Sequence, residues 1–82
     1  MRISVLYFAV VRELVGRAEE SLVLPPHVKT IGDVAVWLPS LRPELEGRMG
    51  SVRFAKNEEF AREDEEIAEG DVLALIPPVA GG

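Results

Sequence analysis

The segment Val72-Leu73-Ala74-Leu75-Ile76 decides the fold, because all five of its residues are apolar. A strand with one face in water alternates polar and apolar residues, whereas an uninterrupted apolar run is typical of a strand covered on both faces. The turn Glu69-Gly70-Asp71 precedes the run and Pro77-Pro78 follows it, and such residues interrupt regular structure. We therefore expect residues 72–76 to form a buried, central strand.

The N-terminal segment 2–10, RISVLYFAV, is also strongly apolar and rich in β-branched and aromatic residues. This composition predicts a strand, and we expect it to lie beside residues 72–76 in the middle of the sheet. Residues 18–24 and 52–56 predict two further strands. Between the first two strands, residues 12–15 predict a short helical turn that ends at a glycine.

The main helix is predicted to begin after Thr30, whose side chain suits the N-cap position with Asp33 three residues further on. Pro39 is expected to end this helix, because the residue before a proline is pushed out of the α region. The apolar residues recur at the spacing of one helix face, at Ile31, Val34, Ala35 and Leu38. The sequence thus predicts an α+β fold in one domain over residues 1–82, with four to five strands in a mixed sheet and one main helix on one face.

The composition excludes several kinds of site. The chain has no cysteine, which rules out disulfides, thiolate metal ligands and a cysteine nucleophile. Its one histidine, His27, follows two prolines and is expected in a solvated loop, so no metal site is predicted. No signal peptide is evident, and no apolar run approaches the roughly 20 residues that cross a bilayer. We expect a cytoplasmic protein that does not bind membranes.

The charge of the chain is negative and unevenly distributed. The net charge is −5, and eight of the fourteen Asp and Glu residues lie between Glu58 and Asp71. Such a surface repels nucleic acid phosphates, so no nucleic acid partner is expected. The acidic segment is interpreted either as a solvated edge that helps solubility or as a docking face for a basic protein.

The C-terminal tail, residues 77–82, carries the functional information. It reads Pro77-Pro78-Val79-Ala80-Gly81-Gly82 and is predicted to be extended, with a reach of at most about 20 Å. A carboxylate is a poor electrophile until it is activated, for example by adenylation. Glycine leaves the terminal carbonyl open to a nucleophile and fits any backbone conformation that a partner's pocket requires. Once activated, such a terminus can accept sulfur and become a thiocarboxylate.

Two segments resemble one known family. The stretch Val5-Leu6-Tyr7-Phe8-Ala9-Val10-Val11-Arg12-Glu13-Leu14-Val15-Gly16 resembles the N-terminus of molybdopterin synthase small subunits, which are sulfur carriers of the MoaD and ThiS type. The stretch from Gly70-Asp71 through Pro77-Pro78 to Gly81-Gly82 resembles their C-terminus. The resemblance implies a β-grasp, ubiquitin-like fold, which agrees with the predicted order of strands.

The resemblance also implies a mechanism. An activating enzyme similar to ubiquitin E1 uses ATP and magnesium to adenylate the terminal glycine. A sulfurtransferase or cysteine desulfurase, acting as the sulfur source, then converts the glycyl adenylate to a thiocarboxylate. The large synthase subunit binds the loaded carrier and transfers sulfur to a cyclic pterin precursor, which forms the dithiolene of molybdopterin. The catalytic residues lie on the large subunit, so this chain is a sulfur donor that holds no cofactor of its own.

The family's roles can be assigned residue by residue. Gly82 is the carrier residue, Gly81 keeps the tip narrow, and Pro77, Pro78, Val79 and Ala80 line the partner's channel. The residues expected to present surface to the partners are Phe8, Arg12, Phe60 and Leu75. Core packing is the alternative for Phe8, Phe60 and Leu75, and a pair with a local acid is the alternative for Arg12.

Three other functions remain open at this stage. The first is a sulfur carrier for thiamine thiazole or for tRNA thiolation, which shares the fold and the Gly-Gly end. The second is a ubiquitin-like modifier that forms isopeptide bonds to lysines. The third is an interaction domain with an inert tail.

Overall fold

The computed structural model describes residues 1–78, which form a mixed sheet of five strands in the order β2-β1-β5-β3-β4. The strands are β1 (Arg2–Tyr7), β2 (Glu19–Val23), β3 (Arg53–Lys56), β4 (Glu59–Phe60) and β5 (Val72–Ile76). The helices are α1 (Ala9–Val15) and α2 (Ile31–Leu41), and two 3₁₀ turns follow at Pro43–Leu45 and Met49–Ser51. The predicted mixed sheet with one main helix is confirmed.

The centre of the sheet is the parallel pair β1 and β5, as the sequence predicts. Ser4 lies opposite Val72 and Tyr7 opposite Leu75, and β5 pairs antiparallel with β3 on its other edge. Strand β1 ends at Tyr7 and does not reach residue 10, because the carbonyl of Phe8 accepts hydrogen bonds from the next helix. The chain therefore turns directly from the central strand into α1.

The hydrophobic core lies between α2 and one face of the sheet. Burial of one large aliphatic side chain contributes about 1.5–3 kcal/mol to folding. The fully buried members include Val5, Tyr7, Val34, Leu38, Leu73 and Leu75. The apolar spacing of α2 is confirmed, since Ile31, Val34 and Leu38 are buried and Ala35 packs against them.

The N-terminus of α2 is capped as predicted. The hydroxyl of Thr30 accepts a hydrogen bond from the Asp33 amide, and the Asp33 carboxylate accepts from the Thr30 amide. The expected end of the helix at Pro39 is wrong, because α2 continues to Leu41. The helix continues past the proline because Leu38 is anchored in the core and its carbonyl accepts a hydrogen bond from Arg42.

The hairpin that joins β3 to β4 turns at Asn57 and Glu58. Both residues have positive φ (51° and 73°), the backbone twist that two-residue hairpins prefer. The Asn57 side chain bonds the Asp71 carboxylate and the Val72 amide, which fixes the hairpin against β5. The alternative of core packing is wrong for Phe60, since 60% of its surface is exposed.

One polar cluster lies on the core side of the sheet and consists of Tyr7, Glu20 and Arg42. Glu20 faces the core because it pairs with Val5, and its side chain is only 6% exposed. Its carboxylate accepts hydrogen bonds from the Tyr7 hydroxyl and from both Nε and Nη2 of Arg42, with the Nε bond at 2.9 Å. The Arg42 hydrogen bond lowers the pKa of Glu20, whereas burial raises the pKa of Tyr7. The cluster ties the C-terminal end of α2 to the edge strand β2.

The substitution Glu20→Gln should lower the free energy of unfolding at neutral pH by about 1–3 kcal/mol, because it removes a buried, charge-assisted acceptor. The pKa of Glu20 is lowered in the folded state, so its contribution is present above its usual pKa of 4.5 and disappears as the pH falls through the folded value. Urea unfolding of both proteins between about pH 3 and 7 measures the difference.

Glu19→Gln is the matched control, since Glu19 is the exposed neighbour of Glu20. The control should track the wild type over the whole pH range. A Glu20→Gln difference that stays constant down to pH 3 would contradict the assigned role of this carboxylate.

Candidate functional site

The root of the tail, residues 77 and 78, directly follows β5, which lies in the middle of the sheet. Strand β5 ends at Ile76, and Pro77 is half-buried while Pro78 is exposed. Because β5 is paired on both edges, the point where the chain leaves the domain is held in place. The predicted carrier tip, Val79, Ala80, Gly81 and Gly82, lies outside the described residues, so the roles of these four positions stay predictions.

The face of the sheet opposite α2 carries an apolar groove of about 310 Å³. We call it the open-face groove. It lies on the outward side of the central strands, and none of the described residues that line it belongs to α1 or α2. Its walls include Leu6, Phe8, Ala55, Phe60, Ala74 and Ile76. Contiguous apolar surface of this kind typically marks a protein interaction site.

Two of the predicted interface residues, Phe8 and Phe60, both line this groove. Phe8 is 45% exposed at the junction of β1 and α1, and Phe60 is 60% exposed on β4. The guanidinium carbon of Arg53 lies 4.1 Å from the centre of the Phe60 ring, a cation–π contact that orients the ring. Both phenylalanines are thus on the surface and not in the core.

The other two predicted interface residues lie elsewhere. Leu75 is completely buried, so it packs in the core, the alternative that the sequence left open, and the surface assignment is corrected. Its neighbours Ala74 and Ile76 face the groove instead, because side chains alternate along a strand. Arg12 is exposed on α1, and no acidic side chain among residues 1–78 forms an ion pair with it.

The open-face positions of β5 do not follow from the apolar pattern alone. The run predicts one buried strand, whereas only Leu73 and Leu75 are fully buried, and Val72, Ala74 and Ile76 line the open-face groove. The prediction of one main helix could have indicated these positions, because a single helix covers one face of a sheet and leaves the outward half of every central strand without cover.

The acidic segment has partly local roles. Asp71 accepts hydrogen bonds from Asn57 and from the Ala68 amide, which lowers its pKa. Glu69 accepts from the Arg2 amide, and Glu65 pairs with Lys56 at 3.5 Å. Several of these carboxylates therefore order the connection between β4 and β5.

The described residues offer neither a cluster of metal ligands nor a helix that could span a membrane. Within residues 1–78, no group of three or more His, Asp or Glu side chains is placed to hold a metal ion. None of the helices described is long and apolar enough to cross a membrane. What the described surface does offer is an apolar groove beside Ile76, the last residue before the tail.

Comparisons with known proteins agree with this arrangement. Residues 5–82 match the model of the ThiS family. A molybdopterin synthase sulfur carrier subunit of Chlamydomonas reinhardtii is 37% identical over 100% of both chains. The crystal structure of SAMP1 from Haloferax volcanii is 30% identical, with a TM-score of 0.85 over 100% of both chains.

A ubiquitin of Caldiarchaeum subterraneum shares the fold at 18% identity, with a TM-score of 0.64 over 100% of this chain and 98% of that one. The expected β-grasp, ubiquitin-like fold is thereby confirmed. The chain belongs to the ThiS family, among the molybdopterin synthase sulfur carrier subunits.

Proposed function

We propose that this chain is the sulfur carrier of a molybdopterin synthase and that Gly82 carries the sulfur as a thiocarboxylate. The observation that carries the proposal is the similarity to a molybdopterin synthase sulfur carrier subunit across the full length of both chains, tail included. The position of the tail supports it, because the tail follows a strand that is paired on both edges.

The chemistry at the tip follows from the reactivity of a carboxylate. A carboxylate oxygen of Gly82 attacks the α-phosphorus of ATP in an activating enzyme and displaces pyrophosphate. A sulfide equivalent from a sulfurtransferase then attacks the carbonyl carbon and displaces AMP, which leaves the thiocarboxylate. The large synthase subunit supplies the catalytic residues that pass this sulfur to the pterin precursor. Glycine at positions 81 and 82 leaves the carbonyl open to both nucleophiles.

The open-face groove is the proposed docking surface for these partners. Its apolar walls and its two exposed phenylalanines supply the aromatic anchors that dominate protein interfaces. The groove adjoins the tail root through Ile76, so a partner that binds it also receives the tail. Docking on the body and insertion of the tip thus belong to one binding event.

A second candidate function is protein modification. SAMP1 abbreviates small archaeal modifier protein 1, and the Haloferax volcanii protein of that name matches the whole chain at 30% identity. In that function the activated Gly82 carbonyl would be attacked by a lysine amine in place of sulfide. Higher-mass conjugates in the native cells that disappear when Gly82 is deleted would support it.

Deletion of Gly82 should abolish thiocarboxylate formation by the activating enzyme. Gly81 then becomes the terminal residue, and its carboxylate does not reach the same place. The chain has no cysteine, so iodoacetamide labels a thiocarboxylate without competition from thiols. Intact mass after alkylation therefore reports the loaded fraction directly, and separates it from oxidation of methionine.

Gly50→Ala is the control for the glycine deletion, since a Cβ at Gly50 meets nothing within 4 Å. This variant should load like the wild type, and both variants should keep the melting temperature of the wild type. Normal loading of the chain that lacks Gly82 would refute the proposed carrier residue.

Phe60→Ala should weaken binding of the large synthase subunit by roughly tenfold or more, as expected for an aromatic anchor. Because Phe60 is 60% exposed, the fold should lose little stability. Val36→Ala, on the outer side of α2 with 83% of its surface exposed, is the control and should bind normally. Titration calorimetry measures both, and equal affinities for the two variants would exclude the groove as the docking surface.

A further inference from the structure

An arginine stands at the end of the open-face groove that lies next to the tail root. Arg53 pairs with Ile76 in the sheet, and side chains of directly opposed residues point to the same face. Because Ile76 lines the groove, Arg53 lies at its rim. Arg53 is exposed, and its guanidinium carbon lies 4.1 Å from the centre of the Phe60 ring. The arginine is therefore held against one wall of the groove.

The contact with Phe60 leaves hydrogen-bonding capacity of the guanidinium unused. This group carries five N–H donors in a fixed fork. Within residues 1–78 none of them donates a hydrogen bond, and no acidic side chain forms an ion pair with Arg53. Since the ring already restricts the side chain, less conformational entropy is lost when the fork binds a ligand. The group that matches such a fork is a carboxylate, which accepts two parallel hydrogen bonds.

The groove has opposite charges at its two ends. Arg53 lies beside Ile76 at the end of β5, whereas Glu58 follows Asn57, whose amide bonds the carbonyl of Val72 at the start of β5. The length of β5 separates these points by about 13 Å. Among the described residues that line the groove, Glu58 alone is charged. A carboxylate on a docked protein is thus attracted at the end next to the tail root and repelled at the other end, which favours one orientation.

We propose that Arg53 binds a carboxylate of the large synthase subunit and thereby selects the orientation in which this partner docks. The inference rests on the proposed function, because it takes the open-face groove as the docking surface. It adds that the partner presents an acidic side chain beside its apolar contact, next to the place where the tail begins. A partner turned end for end would bring that acid to Glu58. Arg53 therefore determines specificity and takes no part in the chemistry.

The substitution Arg53→Gln should weaken binding of the large synthase subunit roughly tenfold, and Arg53→Glu should weaken it further, because the partner's carboxylate loses its ion pair or is repelled. Arg53→Lys should recover only part of the affinity, since an ammonium group does not offer two parallel hydrogen bonds. Added salt should weaken the wild type more than Arg53→Gln. Titration calorimetry of the full-length chains measures these affinities.

Arg62→Gln is the matched control and should bind normally. The Arg62 side chain is 82% exposed and is not among the residues that line the open-face groove. Because Arg53 is exposed as well, its variants should keep the melting temperature of the wild type. Equal melting temperatures exclude unfolding as the cause of weaker binding.

Removal of Phe60 separates the proposed role from a purely structural one. If Arg53 did no more than orient the ring, Arg53→Gln would have no further effect in a Phe60→Ala chain. We expect a further loss of affinity there of roughly fivefold or more. Disappearance of the effect in that chain would overturn the inference.

The same titrations distinguish this inference from the proposed function. A complex with Arg53→Gln as tight as that of the wild type would contradict the role of Arg53 alone. Absence of any complex between the wild-type chain and the large synthase subunit would contradict both.

Discussion

The structure depends on the parallel pairing of β1 with β5. The two strands come from opposite ends of the chain, and β5 also pairs with β3. Without the pairing of β1 with β5 the sheet would separate into two halves. Burial holds the pair, since Val5, Leu73 and Leu75 have no exposed surface. Because β5 is the last strand, the same pairing also sets the place where the tail begins.

One strand thus serves two surfaces. Leu73 and Leu75 point toward α2 and complete the core, while Ala74 and Ile76 point to the opposite side and line the open-face groove. This explains why the run from Val72 is apolar throughout. We propose that a partner protein, and not a second helix, covers the outward face of this strand. The open-face groove and the tail root are therefore held by the same backbone hydrogen bonds.

Much of this fold could be predicted from the sequence, and the exceptions have physical causes. The central strands and the Thr30 cap follow from local patterns, which apolar periodicity and side-chain hydrogen bonds dictate. The extension of α2 past Pro39 could not be predicted, because it depends on the burial of Leu38 in a core that distant segments complete. Tertiary contacts of this kind outweigh a local preference.

The candidate site was predictable in part. Phe8 and Phe60 were assigned to the surface, but sequence alone did not separate them from Leu75, since all three are apolar and occur in or beside strands. The separation required knowing which side of the sheet α2 covers. The open-face groove brings together β1, β4 and β5, which are distant in sequence, so no local pattern indicates it.

The most direct test of the central claim is tandem mass spectrometry of the C-terminal peptide from protein purified out of its native cells while molybdopterin is being made. We expect a fraction of molecules in which one terminal oxygen of Gly82 is replaced by sulfur. We also expect this fraction to grow when the large synthase subunit is depleted. Continued synthesis of molybdopterin by a chain whose C-terminus is blocked or trimmed would contradict it.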